Sequence, residues 1–516
     1  MEYTFVSESP IWQIQKKFYL DTGIEVWNNR VPFYATSNTF IADSYVNVVI
    51  TYARECIELK KVPADTSFYI IEFGAGTGKF TFLFLKRLIE LQVALGCTQI
   101  RFKYLATDIS EENLQFIKQH PALEEYVANG YLELALFDLQ ENNDLSLLNT
   151  GKSMKISADF VKTNPCILIA NYVFDSLPYD AFRISEGVLA AAKLRFDNML
   201  HTLPNNQSIP LSTIGDIQYE FAEPGYDKDP VAHSVINEYV KTGFEGFFTV
   251  PVSVLRFLQK FLKFNDVPHL LLSTDKSVHS ELGSYSLSEP EITYHNGCFS
   301  SMVDFTTIGM AFELSGGYCF RQTMPSDILT SAFFSGVTEN EMPQTNVALM
   351  NHLDTNGPGA LLNMYKLLVE QGNKMTLAQL FSILELLHWD CVALDGSAQA
   401  LYEKLENASV DMLGCLAKSL PKAYHQFYYT PGSIDTIFTI AWLLQRTKQY
   451  EAAMIYYDLS ISFFGPTEHT LFCKAICYME TQNINEAKNC FRQVLGINPA
   501  HVKSKNWMER LEKEKL

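Results

Sequence analysis

The ten cysteines of this 516-residue chain include no C-x-x-C pair, and its eleven histidines form no metal-ligand spacing. Cys473 and Cys477 stand one helical turn apart, a spacing that suits a packed helix core better than a metal site. No zinc or other metal site is expected. The chain also lacks an apolar run long enough to span a bilayer. Met1 to Pro10 is polar and acidic, without the basic start and apolar core of a secretion signal. A reduced, cytoplasmic protein with no membrane partner is therefore the expectation. Positive charge is scarce as well: 40 Lys and Arg stand against 58 Asp and Glu, a net charge of −18. That balance argues against a nucleic-acid partner held by phosphate contacts. With 47% hydrophobic and 19% charged residues, 516 residues suffice for two or more globular domains.

The most informative stretch is Phe68 to Phe80, F-Y-I-I-E-F-G-A-G-T-G-K-F. Phe68 to Ile71 reads as a buried parallel strand. Glu72 and glycines at 74, 76 and 78 follow, and Lys79 to Leu91 then resumes apolar residues at helical spacing. Strand, glycine turn and helix open a doubly wound nucleotide fold, whose ligands lie beyond the carboxyl ends of the strands. A phosphate-cradling loop is excluded, because Phe73 stands where its first glycine belongs and Phe80 where it needs Ser or Thr. The dinucleotide fingerprint fails at Lys79, the place of its third glycine. An acid two places before G-x-G-x-G instead resembles motif I of class I S-adenosylmethionine-dependent methyltransferases. Glu72 would meet the cationic amino-acid half of that ligand. A glycine turn that binds nothing is the alternative.

Arg101 to Thr107 reads as the second strand, ending at Asp108, with a helix capped around Ser110. Asp108 is placed where such folds set an acid on the ribose hydroxyls. Tyr131 to Phe137 reads as the third strand and ends at Asp138, a candidate for the adenine amino group or else a solvated strand-end carboxylate.

The fourth strand, Pro165 to Ala170, runs into N-Y-V-F-D-S-L-P, Asn171 to Pro178. With the glycine loop, this octet resembles the MidA-like methyltransferase family, relatives of the mitochondrial complex I assembly factor that methylates arginine. Arg30 to Phe40, Met302 to Ile308, Gly316-Gly317 and Gln322-Thr323 match further family blocks in order, so the resemblance covers about residues 12 to 340. It implies S-adenosyl-L-methionine as cofactor, held by Glu72, Gly74, Gly76, Gly78, Asp108, Asp138 and Asn171. Three departures fall in the acceptor half. Tyr172 stands for the family's Glu, Asp180 for its His, and Ser273-Thr274-Asp275 for its D-Y-G. Losing that Glu weakens arginine as acceptor, since a carboxylate would orient a guanidinium bidentately. Asp175 is the candidate for orienting or deprotonating the acceptor, with Tyr172 and Asp180 beside it. Capping the helix after Asn171 is the alternative role for Asp175.

Beyond the methyltransferase the pattern changes. Residues 1–65 read as a leading helical segment and 66–340 as the methyltransferase, with an insertion or cap over the acceptor pocket around 183–266. The helix Val252 to Phe264, a fifth strand at His269 to Ser273 and a final hairpin within Ile308 to Met324 complete it. Residues 341–359 read as a polar linker, and 360–516 as helical. There the sequence repeats with a 34-residue period: Ala441 maps to Ala475, Leu444 to Tyr478, Ala453 to Ala487 and Tyr457 to Phe491, with Pro499 closing the copy. This resembles the tetratricopeptide repeat, at 434–499, followed by a capping helix. The expected fold is α/β, a Rossmann-like class I methyltransferase domain followed by an all-α tetratricopeptide-like domain. Two functions fit. One is a methyltransferase acting on a protein acceptor, arginine among the candidates, recruited by the repeats. The other is a scaffold that keeps the fold without the transfer; a homodimer through the repeats fits either.

Overall fold

The computed structural model describes residues 2–24, 34–140, 144–197, 203–221, 229–263, 266–278, 289–323, 326 and 328–513. Arg30 to Phe33 of the early family block and Met324 lie outside them. The chain divides into two compact units, Met1–Ala360 and Leu361–Leu516.

Five parallel strands form the centre of the first unit, in the order His269–Val278, Cys166–Asn171, Ser67–Phe73, Arg101–Asp108, Leu132–Leu136. Ile328–Ser335 and Tyr318–Arg321 extend it antiparallel on one side, Asp144–Leu147 and Ser153–Lys155 on the other. The central strands are apolar almost throughout because both faces are covered: Ile70, Ala106, Ile167 and Ile169 are fully buried. Chain order reverses between Ser67–Phe73 and Cys166–Asn171, and their carboxyl ends therefore flank the crevice such sheets use for ligands. The helices Thr39–Glu58 and Lys79–Ala94 pack together there, with Tyr45 and Phe80 rings 5.7 Å apart.

Three sequence expectations need correction. Phe305–Leu314 is a helix rather than half of a hairpin. Asp304 caps it by accepting the Thr306 and Thr307 N–H groups, and Phe305, Ile308 and Phe312 bury its inner face. The Gly316-Gly317 turn then joins this helix to the strand Tyr318–Arg321. The region 183–266 carries strands that polar connections hid. Asp180–Ser185, Val188–Phe196, Gly215–Phe221 and Gly246–Val250 join Thr4–Phe5 in an antiparallel sheet. Its helix Val252–Leu262 inserts Phe257 against Phe73 and Phe137, at 5.3 and 5.8 Å. The helix thus belongs to the core. The stretch 341–359 is largely helical, not a free linker. The buried Glu55 carboxylate accepts the Gln344 and Thr345 N–H groups at 2.9 and 2.8 Å and the Thr345 hydroxyl at 2.7 Å, which ties Pro343–Leu349 to Thr39–Glu58.

The second unit is helical. Thr436–Arg446 pairs with Tyr450–Phe464, Glu468–Glu480 with Ile484–Ile497, and Val502–Lys513 closes the array. Ala441, Ala453, Ala475 and Ala487 are fully buried, and Tyr457 and Phe491 fill the space their small side chains leave. The 34-residue period reaches the backbone: Lys448 and Gln482 both adopt left-handed φ, +63° and +61°, in the turns between paired helices. Cys473 and Cys477 are buried, free thiols in this core.

Candidate cofactor site

The glycine loop is held open by the neighbouring strand ends. Gly74, Gly76 and Gly78 adopt φ of +64°, +56° and +77°, conformations side chains disfavour. A Cβ on Gly74 would also stand 3.1 Å from Val173 Cγ2. Ala75 N–H donates to Thr107 O, and Gly76 N–H to Asp108 Oδ2, both at 2.9 Å. Asp108 Oδ1 accepts Ser110 N–H at 2.8 Å and Asn113 Nδ2 at 3.2 Å. Burial raises the Asp108 pKa and these donors oppose the rise. Asp108 therefore sits in the cavity wall expected of it, and also pins the loop, a role spacing alone did not reveal.

Glu72 is buried at the end of its strand. Its Oε2 accepts both the Thr81 hydroxyl and, at 2.9 Å, the Tyr104 hydroxyl. Burial pushes its pKa up to about 7 against those two hydrogen bonds.

Facing the glycines, the chain leaves the strand Cys166–Asn171 through a strained turn. Tyr172 has φ +54°, costing about 1–3 kcal/mol for a non-glycine residue. Its N–H donates to Thr274 O at 2.9 Å. Asn171 Oδ1 accepts the Tyr45 hydroxyl at 2.9 Å, while Asn171 Nδ2 and the Tyr172 hydroxyl are buried without partners. Tyr45 in turn bonds Thr274 at 2.6 Å, and Thr274 bonds Thr330 at 2.6 Å.

Two cavities flank this turn and share Phe73, Gly74 and Tyr172. One, of about 120 Å³, is bounded by Asp108, Phe137 and Asp138 and closed by Lys16 and Tyr19 of the helix Ile11–Thr22. The other, of about 30 Å³, lies between the glycine loop, Asn171, Thr36 and Ser37. Among the described residues, none that lines either cavity comes from 183–266. Glu72, the glycine loop, Asp108, Asp138, Asn171 and Tyr172 are brought together.

Two expected residues are not. The Asp180 carboxylate, fully buried, accepts Ser7 N–H at 2.9 Å and lines neither cavity. Asp175 turns away from both cavities. Asp275 Oδ2 accepts the N–H groups of Phe174 at 3.0 Å and of Asp175 at 3.2 Å, and Oδ1 accepts Lys276 N–H at 2.9 Å. Burial raises the pKa of both carboxyls; the Asp175 charge raises Asp275 further, whereas the Ser176 hydroxyl, the Lys276 charge and a hydrogen bond with Asp275 oppose the rise at Asp175. The three N–H donors oppose the rise at Asp275 without cancelling it. Nor does Asp175 cap a helix, since no side-chain cap is made at that turn.

Sequence reasoning missed Lys16, whose Nζ pairs with Asp138 at 2.6 Å, and Tyr45. Lys16 carries no local signal, because only the fold brings the first helix to the third strand. Among the described residues no group of three or more His, Cys, Asp or Glu would hold a metal, and no helix is long and apolar enough to cross a membrane.

The parallel sheet, its reversal point and the glycine turn define the class I methyltransferase architecture. Residues 51–241 match the family described as putative S-adenosyl-L-methionine-dependent methyltransferase, and residues 434–463 and 470–501 match the tetratricopeptide repeat. A region similar to that S-adenosyl-L-methionine-dependent methyltransferase family is thus followed by a C-terminal region that matches tetratricopeptide repeats. No curated protein matches it. Among solved structures it is similar to a Burkholderia thailandensis protein bound to S-adenosyl-homocysteine. Their identity is 13% and the TM-score 0.37, over 70% of this chain and 86% of the other. A native structure of an uncharacterized protein from the same bacterium gives 12% and 0.34 over 62% and 74%. An O-methyltransferase family protein, again from that bacterium, gives 6% and 0.23 over 57% and 59%. These likenesses are remote.

Proposed function

We propose that the chain is an enzyme that transfers a methyl group from S-adenosylmethionine to a protein acceptor recruited by its helical repeats. The carrying observation is the Asn171-Tyr172 turn, which buries an unpartnered amide and an unpartnered hydroxyl between two cavities beside the glycine loop. Buried polar groups without partners are costly, and such strained turns gather at ligand sites. The donor set fits the cofactor. Asn171 Nδ2 would donate to its carboxylate and Glu72 Oε1 would accept from its ammonium. The bare backbone at Gly74 and Gly76 would border it, Asp108 would take ribose hydroxyls and Asp138 the adenine amino group. When bound, the group supplies a methyl already activated on a sulfonium. The protein's work is then to align the acceptor and exclude water, with Tyr172 at the junction of the two cavities. Arginine finds weaker support as the acceptor, because among the described residues the only carboxylates on the cavity walls are Glu72, Asp108 and Asp138. The ten free cysteines suit a reducing compartment such as the cytoplasm.

A scaffold without transfer is the second reading, favoured by the turning away of Asp175 and Asp180 from the cavities. Incubation of purified protein with methyl-labelled cofactor and cell extract separates the two. Transfer of label to a protein band, reduced by Tyr172→Phe, is expected of the enzyme. Confirmed cofactor binding with no transfer to any protein, nucleic acid or small molecule would leave the scaffold standing.

A further inference from the structure

The helix Ile11–Thr22 sets Trp12, Gln15, Lys16 and Tyr19 on one face, at the i, i+3, i+4 and i+7 positions. That face is turned inward, yet it carries a lysine. Lys17, one residue on, behaves as a surface lysine: its side chain is 74% exposed and pairs with Asp21 along the helix. Lys16 instead lines the larger cavity beside Gln15 and Tyr19 and meets Asp138, the two side chains being 27% and 16% exposed.

The pair is not what holds the helix in place. Trp12 and Gln15 are buried. Trp12 Nε1–H donates to Val6 O at 2.7 Å, and its ring packs against Phe299 and Tyr179 at 5.3 and 5.5 Å. Gln15 Oε1 accepts Phe299 N–H at 2.9 Å, and Gln15 Nε2 donates to Phe299 O. One partly exposed ion pair adds little to that anchorage. Its effect falls on Asp138. Oδ1 of Asp138 accepts Gln140 N–H at 2.8 Å while Oδ2 meets Lys16 Nζ at 2.6 Å, so the carboxylate is pinned through both oxygens. A carboxylate has about four acceptor directions, and each pinned oxygen therefore keeps capacity for a further donor.

We propose that Lys16 is a positioning residue for the cofactor: it fixes the Asp138 carboxylate that takes the adenine amino group, and so makes the site selective for a purine with an amino group at C6. An amino donor meets an acceptor already oriented, whereas a carbonyl in its place faces carboxylate oxygens and loses the bond. The inference rests on the cofactor reading above and assigns its base selectivity to a residue outside the parallel sheet.

Titration calorimetry on the full chain tests it, with S-adenosylhomocysteine and with S-inosylhomocysteine, in which a carbonyl replaces the amino group. The wild-type chain is expected to prefer the adenine ligand by about tenfold or more, as for a hydrogen bond to a charged group. Lys16→Met keeps the stem and removes the ammonium. It should weaken the adenine ligand by about fivefold or more and leave the inosine ligand unchanged, and Lys16→Arg should restore the preference. A role confined to closing the cavity would weaken both ligands alike. In an Asp138→Asn background Lys16→Met should have no further effect on the adenine ligand, because it acts through that carboxylate. Circular dichroism shows that the variants remain folded. A preference that survives Lys16→Met, a parallel loss of both ligands, or additive effects of the two substitutions would overturn the proposal and leave the cofactor reading intact. So would equal wild-type affinity for the two ligands. A folded wild-type chain that binds neither would overturn both.

Discussion

The Tyr45 hydroxyl donates to Asn171 Oδ1 at 2.9 Å and so fixes which way the Asn171 amide faces. The oxygen is consumed, and the Nδ2 donor is presented, unpartnered, beside the glycine loop. Asn171→Ala should therefore weaken S-adenosylhomocysteine binding by about tenfold or more, the loss of a hydrogen bond to a charged group. Asn171→Asp should be worse, because a second carboxylate would face that of the ligand. Tyr45→Phe should cost several-fold by freeing the amide to flip. Calorimetric affinities rank the three, and equal affinities would remove Asn171 from the site.

Tyr172 is expected to trade stability for function. Tyr172→Phe removes a buried hydroxyl that has no partner, so thermal stability should hold or rise by about 1 kcal/mol, while cofactor affinity or methyl transfer falls. Tyr172→Gly relieves the left-handed backbone but deletes the ring, and should lose binding. A Phe variant less stable and fully functional would assign the ring to packing alone.

The Asp175–Asp275 pair makes an asymmetric prediction. Asp175 Oδ1 accepts the Ser176 hydroxyl at 3.0 Å, a bond that an amide oxygen keeps, so Asp175→Asn should change stability and cofactor affinity little, within about 0.5 kcal/mol. Asp275→Ala strips the acceptor from three N–H groups and should destabilise by about 2–4 kcal/mol. Chemical denaturation of both variants checks the order. A catalytic collapse in Asp175→Asn with binding intact would restore Asp175 as the orienting group.

Cofactor affinity should depend on pH through Glu72. Its pKa in the folded protein, about 7, lies above the ordinary 4.5 because burial disfavours the charge. Ionising it opposes folding, so its contribution to stability is present below about 4.5 and lost as pH rises through about 7. A ligand ammonium favours the ionised form and reverses the preference. Affinity should therefore be up to about tenfold tighter at pH 7.5 than at pH 6, and Glu72→Gln should be weaker and flatten the profile. A wild-type profile as flat as that of Glu72→Gln would contradict this.

The sequence disclosed most of the sheet because buried parallel strands are continuous apolar runs, and Phe68 to Ile71 or Pro165 to Ala170 admit little else. It disclosed the glycine loop and the repeats because both have fixed local spacing. Asp175 misled because its role depends on Asp275, one hundred residues on in a neighbouring strand, which no spacing announces. Lys16 and Tyr45 were hidden likewise, being ordinary helix residues until the fold sets them against Asp138 and Asn171. The hairpin expected within Ile308 to Met324 failed because the double glycine was legible, whereas the Asp304 cap that starts a helix before it was passed over.

Titration calorimetry of the folded wild-type chain with S-adenosylhomocysteine tests the central claim most directly. Saturable heat from a single site is expected. Gly76→Val should abolish it by setting a side chain where φ is +56° and the loop borders the ligand, and Glu72→Ala should weaken it severely. Folded protein that gives no heat with either S-adenosylhomocysteine or S-adenosylmethionine would contradict the account.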